Sequence, residues 1–259
     1  NHVDPTDPRC ERCLHCYAVC PAGAIRPSED YLPLAQDDAW RALSPETLES
    51  ALAYRRSTRR FANRPLSRDL IEQVVAAGRY VPSGGNRHGY RFTVLTDPAV
   101  KRALLAEFSR YYGRIYKLIG SRALVALATP FLGRYERAFL SDPDYGQRMK
   151  GLLEDFRAGE DPVFYGAPAA ILVHTPELIP TPQQDSILAG FAIVLMAQAL
   201  GLGTCFVSLA EKGLNSSRRC KELVGLAPEE SVHAVILLGY PDEGFRRPAP
   251  KPRKEVSWI

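Results

Sequence analysis

One stretch restricts the fold more than any other. From Ile187 to Leu202 the chain is almost wholly apolar, with Gln198 the main exception, and polar Gln183-Gln184-Asp185 precede it. Gly201-Leu202-Gly203 follows as a helix-ending signal. The stretch falls short of the roughly 18 apolar residues that cross a bilayer, so it reads as a buried helix that other elements must cover. A second apolar run, Val232 to Leu238, reads as a buried strand closed by Gly239-Tyr240-Pro241. Arg91–Leu95, Ala169–Val173 and Thr204–Val207 also read as strands. Helix starts appear at Ser44-Pro45-Glu46, at Ser67-Arg68-Asp69 and at Asp97-Pro98, where a capping side chain precedes apolar residues at helical spacing. Arg219–Leu223 reads as a short helix. Strands and helices mix without regular alternation, which predicts an α+β layer and not a doubly wound parallel sheet.

At 259 residues the chain predicts one sizeable domain with an appendage. The division falls at residues 1–26, a cysteine-rich segment; 27–43, a Pro-broken acidic linker; and 44–259, the globular domain. Residues 109–162 are probed least well by pattern; they carry several tyrosines and many arginines, and their length suits a cover over a site. A net charge of +4 is too small to argue for nucleic acid, and no membrane span or signal peptide is visible. A cytoplasmic, membrane-free protein is expected. The chain begins at Asn1, so a segment upstream of it is also expected.

Two clusters carry chemistry. Cys10, Cys13, Cys16 and Cys20, followed by Pro21, have the spacing C-x2-C-x2-C-x3-C-P. That run holds iron–sulfur clusters through thiolates. Zinc sites pair two separated ligand hairpins, and disulfide frameworks belong to small secreted domains, so both fit less well. One or two 4Fe–4S clusters are expected. In two-cluster proteins the fourth cysteine serves the other cluster, whose remaining ligands would lie upstream of Asn1. The second cluster is Arg55-Arg56-Ser57-Thr58-Arg59-Arg60. Arginines there suit the negative end of a helix, and equally the oxygens of a phosphate.

These motifs resemble those of ferredoxin-fused nitroreductases. Arg55–Arg59 resembles the family's R-x-S-x-R/K segment, Pro82-Ser83-Gly84-Gly85-Asn86 its P-S/T-x-x-N loop, and Gly201–Thr204 its G-L-G-T turn. Gly239–Pro241 and Lys251-Pro252-Arg253 resemble its C-terminal segment. The resemblance implies an FMN-binding fold with a central mixed sheet, in an entwined homodimer with flavin at the interface. It implies that Arg55, Arg56, Ser57 and Arg59, with Lys251 and Arg253, contact the phosphate and the pyrimidine side of FMN. Asn86 would bond the flavin ring, with Pro82, Ser83 and Gly84 shaping the loop. The backbone of Val207, Ser208 and Leu209 would approach flavin N5. Where many members carry an aromatic and a glutamine after the Asn, this chain has Arg87-His88-Gly89-Tyr90, so its substrate side differs. His88 is a weak candidate proton donor; a loop histidine without that role is the plainer reading.

The expected function is an FMN-dependent oxidoreductase fed through iron–sulfur clusters, by a ferredoxin, another redox protein or NAD(P)H. It would reduce a nitroaromatic, quinone or activated alkene. A dehydrogenase running the other way, or an electron-transfer or redox-sensing subunit, are the rival readings.

Overall fold

The computed structural model describes residues 10–26, 42–131, 133, 137, 142, 144–176, 179–242 and 244–259. The expected linker falls almost wholly outside them.

The core is a four-stranded sheet of β1 (Arg91–Leu95), β2 (Ala169–Thr175), β3 (Gly203–Phe206) and β4 (Ser231–Gly239), in the order β1-β2-β4-β3. Every pairing among these strands is antiparallel, which corrects the expected mixed sheet. The sole parallel contact among the described residues is a single bridge, Ser57 to Thr204. It is too short to make residues 57–58 a strand, because the chain turns away toward Pro241 after it.

Side chains on β2 and β4 alternate between two apolar layers, as the period of a strand requires. Ala170, Leu172, Val235 and Leu237 face a layer built on the helix Pro98–Ile119, which contributes Leu104, Phe108 and Tyr112. Ala169, Ile171, Val173, Ile236 and Leu238 face the helix Pro182–Ala199, through Ala189, Ile193 and Val194. All seven residues of β2 are buried, so the strand is covered on both faces and its apolar run Ala169–Val173 carries no alternation in sequence.

The expected helix starts are all realised. Ser44 accepts from Thr47 N at 3.2 Å, Ser67 from Leu70 N at 3.3 Å and Asp97 from Ala99 N at 2.7 Å. The helices they open are Pro45–Tyr54, Arg68–Ala76 and Pro98–Ile119. The described part of 109–162 continues this last helix and adds Arg122–Ala128 and Tyr145–Ala158. The long apolar helix starts earlier than its apolar residues, at Pro182, because the first turn is polar. Its outward residues Ile187, Leu188 and Phe191 stay about two-fifths exposed, at 42%, 44% and 38%. Among the described residues no helix is long and apolar enough to cross a membrane.

Candidate functional site

The arginine strip leaves the helix Pro45–Tyr54 at Arg55, whose backbone is already extended. It is then stitched to two remote segments. Thr58 N donates to Thr204 O at 2.8 Å, Ala62 N to Tyr240 O at 2.9 Å and Asp242 N to Arg60 O at 3.0 Å. Thr58 is buried against Gly203, where an added Cβ would stand 2.6 Å from Thr58 Oγ1. The close approach of the two backbones therefore explains Gly203 in the turn. Three motifs far apart in sequence meet here: the arginine strip, the Gly201–Thr204 turn and Gly239–Pro241.

The guanidiniums are disposed differently from one another. Arg60 pairs with Asp242 at 3.7 Å. Arg56 lies 5.8 Å from the Phe245 ring centroid and Arg59 lies 6.0 Å from that of Tyr165. Among the described residues Arg55, Arg56 and Arg59 have no carboxylate partner, so their charge is open to an anion. Beneath them sits the buried Cys205. Burial pushes its thiol up, against the pull of Arg59, a hydrogen bond from Ser57, and Arg55. The donor set fits a phosphate: cations that keep their charge, with one hydroxyl beside them.

Val207, Ser208 and Leu209 form the entry to the helix Ser208–Asn215, with Val207 as an N-cap that supplies no side-chain acceptor. The first backbone N–H groups of that helix thus lack intrahelical partners. Tyr112 Oη donates to Leu209 O at 2.7 Å and holds this entry in place from the helix Pro98–Ile119. Nothing in the sequence pattern pairs residues 97 positions apart, so in the sequence Tyr112 is only one of the tyrosines of the expected cover. Lys251 and Arg253 lie in the exposed tail, and among the described residues nothing ties them to the arginine strip.

The Pro82–Asn86 loop lies elsewhere. Gly84 N donates to Thr181 Oγ1 at 3.1 Å and to Asp185 Oδ1 at 3.2 Å. Asp185 is 2% exposed and also accepts from Thr181 Oγ1 at 2.8 Å. An added Cβ on Gly84 would stand 2.1 Å from Thr181 Oγ1, so only glycine admits this contact. Asp185 is the loop anchor that sequence reading missed; it appears there only as a polar residue before an apolar helix. Asn86 and His88 both take left-handed backbone, with φ of 53° and 46°. Asn86 Nδ2 donates to the carbonyls of Glu11 and Arg12, at 3.2 and 3.0 Å.

The two groups stand at opposite ends of one helix. The loop is held at Asp185, in its first turn, and the arginine strip at Gly203, just past its end. At 1.5 Å per residue the ends of this 18-residue helix are roughly 27 Å apart. One chain thus carries two half-sites that it does not bring together.

The four N-terminal cysteines are free thiols, two of them exposed, around the short helix His15–Val19. The backbone N–H groups of Ala24, Ala22, Ile25 and Gly23 draw the Cys20 thiol below its ordinary range, although burial opposes them. Among the described residues no three His, Cys, Asp or Glu side chains come together as a metal site. The donors have the right chemistry for iron–sulfur ligation, but this structure does not gather them.

Residues 52–240 match the sequence model of the nitroreductase family. The chain is 27% identical over 199 residues to an NADH dehydrogenase of Thermus thermophilus, covering 76% of this chain and 88% of that protein. It is 22% identical over 249 residues to an iodotyrosine deiodinase of Hydra vulgaris, covering 92% and 82%. In structure it is similar to an FMN-bound nitroreductase of Desulfitobacterium hafniense, with a TM-score of 0.59 at 22% identity, over 84% of this chain and all of that one.

Proposed function

The chain belongs to the nitroreductase family and is a flavin oxidoreductase of that family; from that premise we propose that two copies hold FMN between them and reduce a small organic acceptor. The observation that carries this is the separation of the half-sites. A twofold pair that sets the Pro182–Ala199 helices antiparallel brings the arginine strip of one protomer to the loop of its partner. Such an interface also covers Ile187, Leu188 and Phe191, and we include Leu48 and Leu52 in it; all five are exposed in the single chain.

In this arrangement Arg55, Arg56, Ser57 and Arg59 hold the phosphate, joined by Lys251 and Arg253 from the tail. The free N–H groups at Ser208 and Leu209 face the flavin ring and favour negative charge there. Asn86, with Pro82, Ser83 and Gly84, orders the opposite edge of the ring. FMN supplies the hydride or single electrons, and the protein supplies binding, orientation and electrostatics. The acceptor is a nitroaromatic, quinone or activated alkene. The deiodinase relative adds halogenated phenols to that class. The relatives named NADH dehydrogenases favour a nicotinamide nucleotide as donor. Anaerobic mixing with NADH and NADPH tests that; a flavin that neither nucleotide reduces points to a protein donor.

The cysteine run is a separate part of the proposal. Its spacing suits one or two 4Fe–4S clusters served by a ferredoxin or another redox protein. No step above passes through it. Iron counted per chain after anaerobic purification decides it, and iron-free protein with a full complement of FMN removes it. Free thiols throughout suit a reducing, cytoplasmic compartment.

Subunit complementation tests the shared site. Arg55→Ala and Gly84→Val chains should each purify with little FMN. Co-expressed, their mixed dimer has one interface with both defects and one with neither. It should regain FMN at about one site per dimer. No recovery, in a mixed dimer shown to form, would overturn the shared site.

A further inference from the structure

We propose that residues 10–14 form a strap on the Ser83–Tyr90 loop, and that the strap and FMN exclude one another at Asn86. The argument begins with hydrogen-bond polarity. Asn86 Nδ2 lies 3.2 Å from Glu11 O and 3.0 Å from Arg12 O. Carbonyl oxygens only accept, so the amide NH2 must face the strap. Asn86 Oδ1 then points away, 2.7 Å from His88 Nε2. An amide oxygen also only accepts, so Nε2 carries the proton. In the neutral ring Nδ1 is left as an acceptor, 3.4 Å from the Tyr90 hydroxyl. A single direction therefore runs from Tyr90 through His88 and Asn86 to the strap.

Both sides of the contact are bent to make it. Arg12 and Leu14 on the strap have φ of 52° and 56°, and Asn86 and His88 on the loop 53° and 46°. Four of the five described non-glycine residues in left-handed backbone lie at this contact; Tyr165 is the other. Such backbone persists where its surroundings hold it. The grip is otherwise light. The helix His15–Val19 buries no residue, and Cys10 and Cys13 are exposed. A segment with so few apolar contacts opens locally without unfolding the domain.

An amide NH2 has two protons, and the strap takes both. A flavin that uses the same group must displace it; this half of the proposal rests on the FMN reading above. Linkage then makes the effect reciprocal: FMN loosens the strap, and a loosened strap strengthens FMN binding.

The full chain serves for the test, because Arg12 makes the strap cleavable by trypsin. Cleavage of the Arg12–Cys13 bond is followed by mass spectrometry, with FMN binding measured by flavin fluorescence in the same samples. In Asn86→Asp a carboxylate faces two carbonyl oxygens, so FMN-free variant should be cut severalfold faster than wild type. Saturating FMN should speed wild-type cleavage severalfold and leave Asn86→Asp unchanged. Equal FMN-free rates in the two proteins would overturn the strap. Bound FMN that leaves the wild-type rate unchanged would overturn the competition alone. Protein that binds no FMN would overturn the flavin reading and the competition with it, while the strap would stand on the FMN-free rates. Nitrogen-15 shifts of His88 supply a readout that a folding defect does not mimic: the proton should sit on Nε2 in wild type, and a proton on Nδ1 would refute the polarity.

Discussion

Residues 57–62 are fastened by backbone hydrogen bonds at Thr204, Tyr240 and Asp242. The Pro82–Tyr90 loop instead hangs from one buried carboxylate and from side chains, with left-handed backbone at Gly85, Asn86 and His88. The first half-site is a rigid frame for charge. Its backbone is tied within the chain, and among the described residues Arg55, Arg56 and Arg59 have no carboxylate partner. The second is a strained frame for shape, whose contacts can be exchanged for others. On the proposed reading, half-sites of such different stiffness would divide the work of holding a cofactor: one would supply affinity, and the other would respond to what is bound.

The sharpest way to break the contrast is Gly203→Val. Its Cβ would stand 2.6–2.8 Å from Thr58, within a frame that cannot yield. Overpacking of this kind costs about 1–3 kcal/mol, and FMN retention should fall together with the melting temperature. Arg55→Ala should separate those two readouts. It removes a charge-assisted bond worth ~1.5–3 kcal/mol, so FMN affinity should fall by about 10- to 100-fold with FMN-free stability unchanged. Equal FMN affinity in dialysis would exclude Arg55 from the clamp. Asp185→Ala probes the loop. It leaves Gly84 N–H without its buried carboxylate, at a cost of ~1–3 kcal/mol. Amide exchange at Gly84 should quicken while that at Thr58 does not.

The smallest effect lies in a region that belongs to neither half-site. His174 is buried at the end of β2, with Nδ1 3.1 Å from Glu230 Oε1 and Nε2 3.0 Å from Thr93 Oγ1. Burial holds its pKa below the ordinary value, against the pull of Glu230, and His233 nearby is lowered by burial as well. A histidine kept neutral by folding binds its proton more readily in the unfolded chain. Stability should therefore be constant above about pH 6.5 and fall as pH drops below it, toward the lowered folded values. His174→Gln should flatten that decline in melting temperature, with FMN affinity unaffected.

The sequence made the frame legible because its signals are local. Ser44, Ser67 and Asp97 cap within three residues of themselves, and the four strands announce themselves by apolar runs. Strand direction was not legible: β1 and β2 are joined through a long helical passage, and nothing in Arg91–Leu95 or Ala169–Thr175 encodes which way they run. The arginine strip could be read from its charge. Its location could not, since Thr58 meets Thr204 and Ala62 meets Tyr240 across most of the domain. Asp185 was missed for the same reason, its partner Gly84 being 101 residues away. The cysteine run is the reverse case. Its spacing is explicit, yet His15–Val19 does not draw the thiols into a site.

The exposed tail has an optical consequence. The chain has two tryptophans, Trp40 and Trp258. Trp258 is 92% exposed, five residues beyond Arg253 on the segment expected to reach the phosphate. Indole emission overlaps flavin absorption. Docking of the tail beside bound FMN would dim that indole by energy transfer, so Trp258 makes the molecule its own gauge of site assembly, with Trp258→Phe as the blank.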